Sequence, residues 1–178
     1  MNPLDIIEKY YDKSSDLYKL LVKHSAQVMN KALSIAKNHP ELHADTQFIT
    51  EAAMLHDIGI YLTNAPSIFC HGKKPYICHG YLGADILRNE GLPKHALVCE
   101  RHTGTGLSVE DIERQKLPLP LRDMIPISIE EQIICFADCF FSKSGDMTEK
   151  SVDKVRAQLS KFGTKTKDQF DYWCEIFL

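Results

Sequence analysis

The stretch AAMLHDIG, residues 52–59, joins an apolar run to a His-Asp pair and a glycine. The apolar residues predict the end of a buried helix that begins near residue 45, and Gly59 offers a stop for it. Adjacent helical positions diverge by about a quarter turn. His56 and Asp57 can therefore approach one ion from two directions, or Asp57 can reach across to a second ion.

Helical signals continue on both sides of this stretch. Apolar residues at helical spacing, a capping pattern at Ser128 and Glu131, and stops at glycine or proline predict the helices. They span about residues 3–11, 16–37, 45–58, 80–90, 93–102, 108–115 and 128–143, and two more follow. Residues 60–78 are predicted to form a surface loop, and no segment alternates as a strand would. The sequence predicts an all-α fold, a single-domain helical bundle.

Composition narrows the class of protein. The 178 residues, 44% hydrophobic and 25% charged, suit one compact globular domain. The chain has no signal-peptide pattern and no apolar run long enough to cross a membrane, so no membrane partner is expected. The six cysteines form no Cys-x-x-Cys pair, which suits a reducing cytoplasm. A net charge of −3 gives no general attraction to nucleic acid, and no nucleic-acid polymer is expected as a partner.

Two inward-facing polar residues lie far from the His-Asp pair in the chain. His24 falls on the apolar stripe of its helix, where a hydrogen-bonded core histidine is the usual alternative to a ligand. Asp138 shares a predicted face with Ile134 and Phe141. Burying an isolated carboxylate is costly unless a cation or several donors meet it, so Asp138 calls for a partner such as a metal ion.

Two more histidines lie where a predicted helix meets a loop. His79 begins a helix and His102 ends one. Such positions are common for ligands. Mixed imidazole and carboxylate ligands suit Fe, Mn, Co or Zn. Six such residues suffice for two ions if one carboxylate bridges them, and the excess positive charge favours an anionic substrate such as a phosphate ester, with a bound hydroxide as the nucleophile.

These motifs, in this order, resemble the HD phosphohydrolase superfamily. The resemblance covers residues 17–145 and implies one HD-type domain over residues 1–178, with C-terminal helices at 146–178. The two histidines between the His-Asp pair and the last aspartate match its dinuclear branch (HDIG type). The resemblance implies that His24, His56, Asp57 and Asp138 hold one metal, and that Asp57 bridges, as the catalytic carboxylate, to a second metal on His79 and His102.

The resemblance predicts a phosphoric ester or anhydride hydrolase acting on a small, nucleotide-like substrate. Ile60 stands where many dinuclear relatives carry lysine. Thr103 stands where the cyclic-dinucleotide enzymes carry a second histidine, so hydrolysis of cyclic dinucleotides is not expected. Four basic residues are candidates for binding the substrate: Lys73, Lys74, Arg101 and Lys143.

Two other functions stay open for the same residues. Four histidines and two aspartates in this order also occur in diiron oxygenases of the superfamily, which need iron and oxygen. A non-catalytic sensor or binding module would form the metal site without turnover.

Overall fold

The computed structural model describes residues 1–178, and their fold is mostly helical. The nine α-helices are α1 (Pro3–Ile7), α2 (Asp16–Asn38), α3 (Thr46–Leu55), α4 (His79–Asn89), α5 (Pro93–Arg101), α6 (Val109–Arg114), α7 (Ile129–Asp138), α8 (Val152–Leu159) and α9 (Thr164–Phe177). The predicted all-α fold is confirmed. Two short strands, β1 (Asn64–Ala65) and β2 (Cys70–His71), pair antiparallel inside the loop between α3 and α4.

The larger hydrophobic core joins the inner faces of α2, α3 and α7 to the C-terminal helices. Its aromatic centre is Phe136 of α7, which packs against Phe170, Trp173 and Phe177 of α9. All four rings are buried. Helices α8 and α9 thus belong to the same core as the helices that carry the His-Asp pair. Each fully buried ring of this size stabilises the fold by about 1.5–3 kcal/mol through its burial.

The smaller core lies on the other side of the His-Asp pair. It packs Ile7 and Tyr11, at and just after α1, against the turn that follows α3 and against α4 and α5. The Tyr11 hydroxyl donates to the carbonyl oxygen of Ile58, 2.7 Å away. Helix α1 ends at Ile7, earlier than predicted. The chain turns there, and Tyr11 then points into this core.

Gly59 has a different role from the one that the sequence suggested. Its φ of −83° is ordinary for any residue, so it is not a left-handed helix stop. A side chain at Gly59 would instead overlap the carbonyl oxygen of His79 and the backbone of Gly83. The glycine is needed because the turn after α3 packs directly on the start of α4. This close packing brings Asp57 next to His79.

No helix of the chain combines the length and the apolar character that crossing a membrane requires. All six cysteines are free thiols.

Candidate metal centre

Six side chains from five separate parts of the fold converge between the two cores. His24 lies in the middle of α2, and His56 and Asp57 directly follow α3. His79 is the first residue of α4, His102 follows the last residue of α5, and Asp138 ends α7. The side chains of these residues are buried except for Asp138, whose side chain is 18% exposed. The structure therefore brings together all six residues that the sequence singled out as ligands.

The six residues form two groups that share Asp57. The first ligand group is His24, His56, Asp57 and Asp138, and the second is Asp57, His79 and His102. Asp57 Oδ2 lies 3.2 Å from Nε2 of His24 and 3.2 Å from Nε2 of His56. Asp57 Oδ1 lies 3.4 Å from Nε2 of both His79 and His102. Each carboxylate oxygen of Asp57 thus faces a different group.

Three of the four imidazoles are oriented by backbone carbonyls. Nδ1 of His56 lies 2.7 Å from the carbonyl oxygen of Ala53. Nδ1 of His79 and of His102 make the same contact with the carbonyl oxygens three residues earlier, also at 2.7 Å. A ring that donates from Nδ1 presents its Nε2 lone pair on the other side, as a ligand must. These local bonds therefore set each ring in the tautomer that binds a metal through Nε2.

Several buried atoms of the centre lack a hydrogen-bond partner. They are Nε2 of His24 and His56, both carboxylate oxygens of Asp57, and Oδ1 of Asp138. Of these atoms, Asp57 Oδ2 forms an ion pair with the ammonium group of Lys143. The imidazoles and carboxylates are close, with His24 Nε2 only 2.9 Å from Asp138 Oδ1, but they are not aligned for hydrogen bonds. Leaving so many buried polar atoms unpaired is costly. These nitrogen and oxygen atoms converge instead, as ligands do around a cation.

The second ligand group also calls for a cation, because two of its imidazole nitrogens face each other. Nε2 of His79 and Nε2 of His102 are 3.0 Å apart. Since both rings donate from Nδ1, two neutral imidazoles would direct Nε2 lone pairs at each other. Only a proton or a cation between them relieves that repulsion. The donor set of both groups, imidazole nitrogen with carboxylate oxygen, fits a divalent transition metal.

The two groups shift the pKa values of their imidazoles in opposite directions. Burial lowers the pKa of His56, but the carboxylates of Asp57 and Asp138 outweigh it and raise that pKa to about 10. Burial lowers the pKa of His79 to about 3, against a smaller opposing effect of Asp57. Burial also raises the pKa of Asp57, but the charges of Lys143 and His56 hold it well below its usual range. Asp57 is therefore an ionised carboxylate.

Lys143 is the predicted substrate-binding residue that the structure places at the centre. Its Nζ lies 2.6 Å from Asp57 Oδ2, and its side chain is 12% exposed. Helix α7 ends at Asp138, not near Lys143 as predicted. Lys143 lies on the loop after that helix, two residues before Gly145, whose φ of +75° is a left-handed conformation that favours glycine.

The other three predicted substrate-binding residues lie elsewhere. Lys73 and Lys74 are exposed on the loop before α4 and form no ion pair with the six clustered residues. Arg101 points away from the centre and forms an ion pair with the buried Glu131 at 2.9 Å. Its neighbour Glu100 instead binds Arg88 and Arg122. These arginine–glutamate pairs brace α5 against its surroundings.

The structure adds Tyr76 to the residues around the centre. Its ring stacks on the His79 imidazole, with ring centroids 4.7 Å apart. Lys143 Nζ lies 5.9 Å from the centre of the same ring. Tyr76 precedes His79 by three residues, and one short turn joins them. In that turn the Tyr76 carbonyl oxygen accepts a hydrogen bond from the His79 ring, so the spacing was the feature of the sequence that could have indicated the contact.

A family model described as an HD domain matches residues 21–141. The chain belongs to the HD-domain family. The matched segment contains both ligand groups and ends just before Lys143. The resemblance read from the sequence is confirmed at this level.

Three relatives, which are longer proteins, are similar to this chain over part of their length. A tRNA (cytidine(56)-2'-O)-methyltransferase of Thermoplasma volcanium is 36% identical over 140 residues, which is 78% of this chain and 35% of that protein. The enzyme of the same name from Picrophilus torridus is 35% identical over 127 residues, 71% of this chain and 33% of that protein. An uncharacterised protein of Methanocaldococcus jannaschii is 37% identical over 121 residues, 66% of this chain and 64% of that protein. No solved structure matches the chain.

These relatives correct one expectation. The resemblance predicted a small phosphorylated substrate, and the net charge of −3 predicted that no nucleic-acid polymer is a partner. That prediction is wrong, because two relatives are enzymes named for modifying tRNA. Net charge describes the whole surface and does not report which molecules a local site meets. The chain spans about a third of the length of both methyltransferases, so their names describe much longer proteins.

Proposed function

We propose that this chain is a metal-dependent hydrolase of phosphoric esters or anhydrides, with two divalent ions at its centre. The observation that carries the proposal is the division of Asp57, whose two oxygens each face a separate ligand group. One carboxylate shared in this way would suit two adjacent ions. His24, His56 and Asp138 would complete the first ion's ligands, and His79 with His102 the second's.

The ions would supply Lewis acidity, which activates water for attack on phosphorus and stabilises the attacking and leaving oxygens. The protein's own residues fix the geometry. The carbonyls that accept from His56, His79 and His102 keep each Nε2 directed inward. Asp57 sets the spacing between the groups. Lys143 adds a positive charge at the same place, and that charge favours a substrate with anionic oxygens.

The substrate we propose carries its phosphate on RNA or on a nucleotide derived from RNA. The tRNA methyltransferase relatives support this choice, since the matched segment occurs within proteins named for acting on tRNA. We do not assign methyl transfer to this chain. The aligned region is only about a third of either relative, and the convergent imidazoles and carboxylates are suited to binding cations rather than a methyl donor.

The test combines metal analysis with a substrate panel. Purified chain loaded with Mn²⁺ or Fe²⁺ is analysed for bound metal and then assayed for phosphate release from phosphorylated RNA, nucleotides and simple phosphoesters. Two ions per chain and turnover with at least one of these compounds are expected. Asp57→Ala should lose both ions and reduce turnover to background, because Asp57 belongs to both groups. Asp168→Ala, a change at a side chain that is 70% exposed, serves as the matched control.

Other outcomes would identify the alternatives. Oxygen consumption with iron and loss of all turnover with manganese would indicate a diiron oxygenase. Two bound ions without turnover on any phosphorylated compound would indicate a sensor module. Full metal content and turnover in Asp57→Ala would contradict the dinuclear centre itself.

A further inference from the structure

A pocket of about 350 Å³ opens on the outer side of Tyr76 and Lys143. We call it the serine pocket, because Ser67, Ser142 and Ser144 line it together with Tyr76 and Lys143. Its location follows from contacts already described. Lys143 reaches Asp57 of the first ligand group, and Tyr76 stacks on His79 of the second. None of the six clustered residues lines the serine pocket, but two of its lining residues each contact a member of a ligand group.

The lining of the serine pocket consists of hydrogen-bond donors and apolar walls. Lys143 is its one charged residue, and no carboxylate lines it. Ser67 and Ser144 are exposed and Ser142 is half-buried, so their hydroxyls are accessible to a ligand. A hydroxyl donates readily to an anionic oxygen, and an ammonium group does so with added charge. This lining suits an anion rich in acceptor oxygens.

The positions of the hydrogen-bond donors restrict which kind of anion the serine pocket can bind. Ser142, Lys143 and Ser144 are consecutive on the loop after α7, whereas Ser67 and Tyr76 come from the loop between α3 and α4. Donors thus come from two separate walls. A terminal phosphoryl group has three free oxygens to meet donors from both sides, but an internal phosphodiester has two. The volume is at the small end of ligand pockets, enough for a phosphate and part of its alcohol.

We propose that the serine pocket binds the terminal phosphoryl group of a phosphomonoester beside Lys143 and Tyr76, the two lining residues that contact the ligand groups. The substrate class is then a nucleotide or RNA with a terminal phosphate, rather than an internal phosphodiester. This inference rests on the proposed function for its catalytic meaning, but binding of phosphate to the pocket can be measured without any turnover.

The primary experiment titrates inorganic phosphate, as the probe, into the Mn²⁺-loaded chain by calorimetry. Loss of a hydrogen bond to a charged group weakens binding by about 10-fold or more. Ser142→Ala/Ser144→Ala should therefore weaken phosphate binding about 10-fold, and Lys143→Met about 100-fold. The matched controls are Ser34→Ala and Lys154→Met, at exposed helical positions. They should bind phosphate as the unaltered chain does.

Metal content separates a pocket effect from damage to the centre. Neither set of changes removes one of the six clustered residues, so each variant should keep the metal content and the helical circular dichroism of the unaltered chain. Unchanged phosphate affinity in both pocket variants would overturn the inference. A loss of phosphate affinity that merely follows a loss of metal in Lys143→Met and in the serine double variant would overturn it too.

A second set of titrations distinguishes the carriers of the phosphate. A nucleoside monophosphate and a terminally phosphorylated RNA oligonucleotide should each lose about 10-fold in affinity in the serine double variant. The same oligonucleotide with a terminal hydroxyl should be unaffected by the variant. Equal losses for phosphorylated and unphosphorylated RNA would contradict a phosphate-specific pocket. If the pocket variants weaken phosphate binding but no phosphomonoester is hydrolysed, the pocket stands and the proposed hydrolase function fails.

Discussion

The two ligand groups share Asp57 but differ in charge. The first ligand group has two carboxylates, Asp57 and Asp138, among its four members, and raises the pKa of His56 to about 10. The second has only the shared carboxylate, and burial lowers the pKa of His79 to about 3. One group therefore retains a proton at neutral pH, whereas His79 in the other is neutral. With two carboxylates, the first group attracts a cation more strongly, whereas the second depends on Asp57 alone for its negative charge.

Among changes that affect one ligand group and not the other, the largest effect is expected from removing the carboxylate that belongs to the first group alone. Asp138→Ala should reduce bound metal from two ions to one and turnover to background, because that group loses half of its negative charge. Metal content after dialysis and phosphate release measure the two outcomes. Two retained ions would show that the groups do not differ as proposed.

The complementary change removes an imidazole from the second ligand group. His102→Ala should also leave one ion bound, but now in the first group, so that turnover falls while the carboxylates keep their metal. His71→Ala, at an exposed position on β2, is the matched control. Loss of both ions in His102→Ala would mean that the groups bind metal only together.

A pH effect should distinguish the groups without any mutation. Because the pKa of His56 is raised to about 10, its proton must leave when a metal binds at neutral pH. Metal affinity of the first group should therefore rise with pH below about 10, by about tenfold per pH unit for one released proton. His79, with its pKa of about 3, releases none at neutral pH. Calorimetry in buffers of different ionisation enthalpy counts the protons. Zero release in the first binding step would contradict this assignment.

The smallest effect on function is expected at Arg101, which adjoins His102 in the chain but belongs to neither ligand group. Arg101→Leu should lower the free energy of unfolding by about 1–3 kcal/mol, because the buried Glu131 loses a charged partner. Metal content and phosphate affinity should not change. Urea denaturation and phosphate titration measure both quantities. A loss of phosphate affinity at full metal content would restore Arg101 as a substrate-binding residue.

Much of the centre could be predicted from the sequence because its members have local signatures. His24 lies on an apolar helical stripe and Asp138 on an apolar helical face, where an unpaired polar residue needs an explanation. His79 and His102 mark helix ends, and those ends supply the carbonyls that orient both rings. Periodicity and caps similarly predicted the all-α fold. These properties depend on neighbours within a few turns of helix, which sequence patterns record.

The basic residues were harder to predict. Arg101 and Lys143 both adjoin clustered residues in the chain, yet only Lys143 reaches Asp57. The loop after α7 places Lys143 at Asp57, whereas Glu131 on α7 draws Arg101 away. Long side chains follow the partners that packing brings to them, and those partners are distant in sequence.

Local patterns in the sequence were enough to predict the helices, the family and the six residues that meet at the centre, since periodicity and residue chemistry are local properties. Helix packing set the other features: each oxygen of Asp57 faces a different ligand group, Gly59 allows α4 to pack closely, and Lys143 reaches Asp57 from the lining of the serine pocket. These features depend on distances of a few ångströms between distant segments. Such distances are set by how whole helices pack.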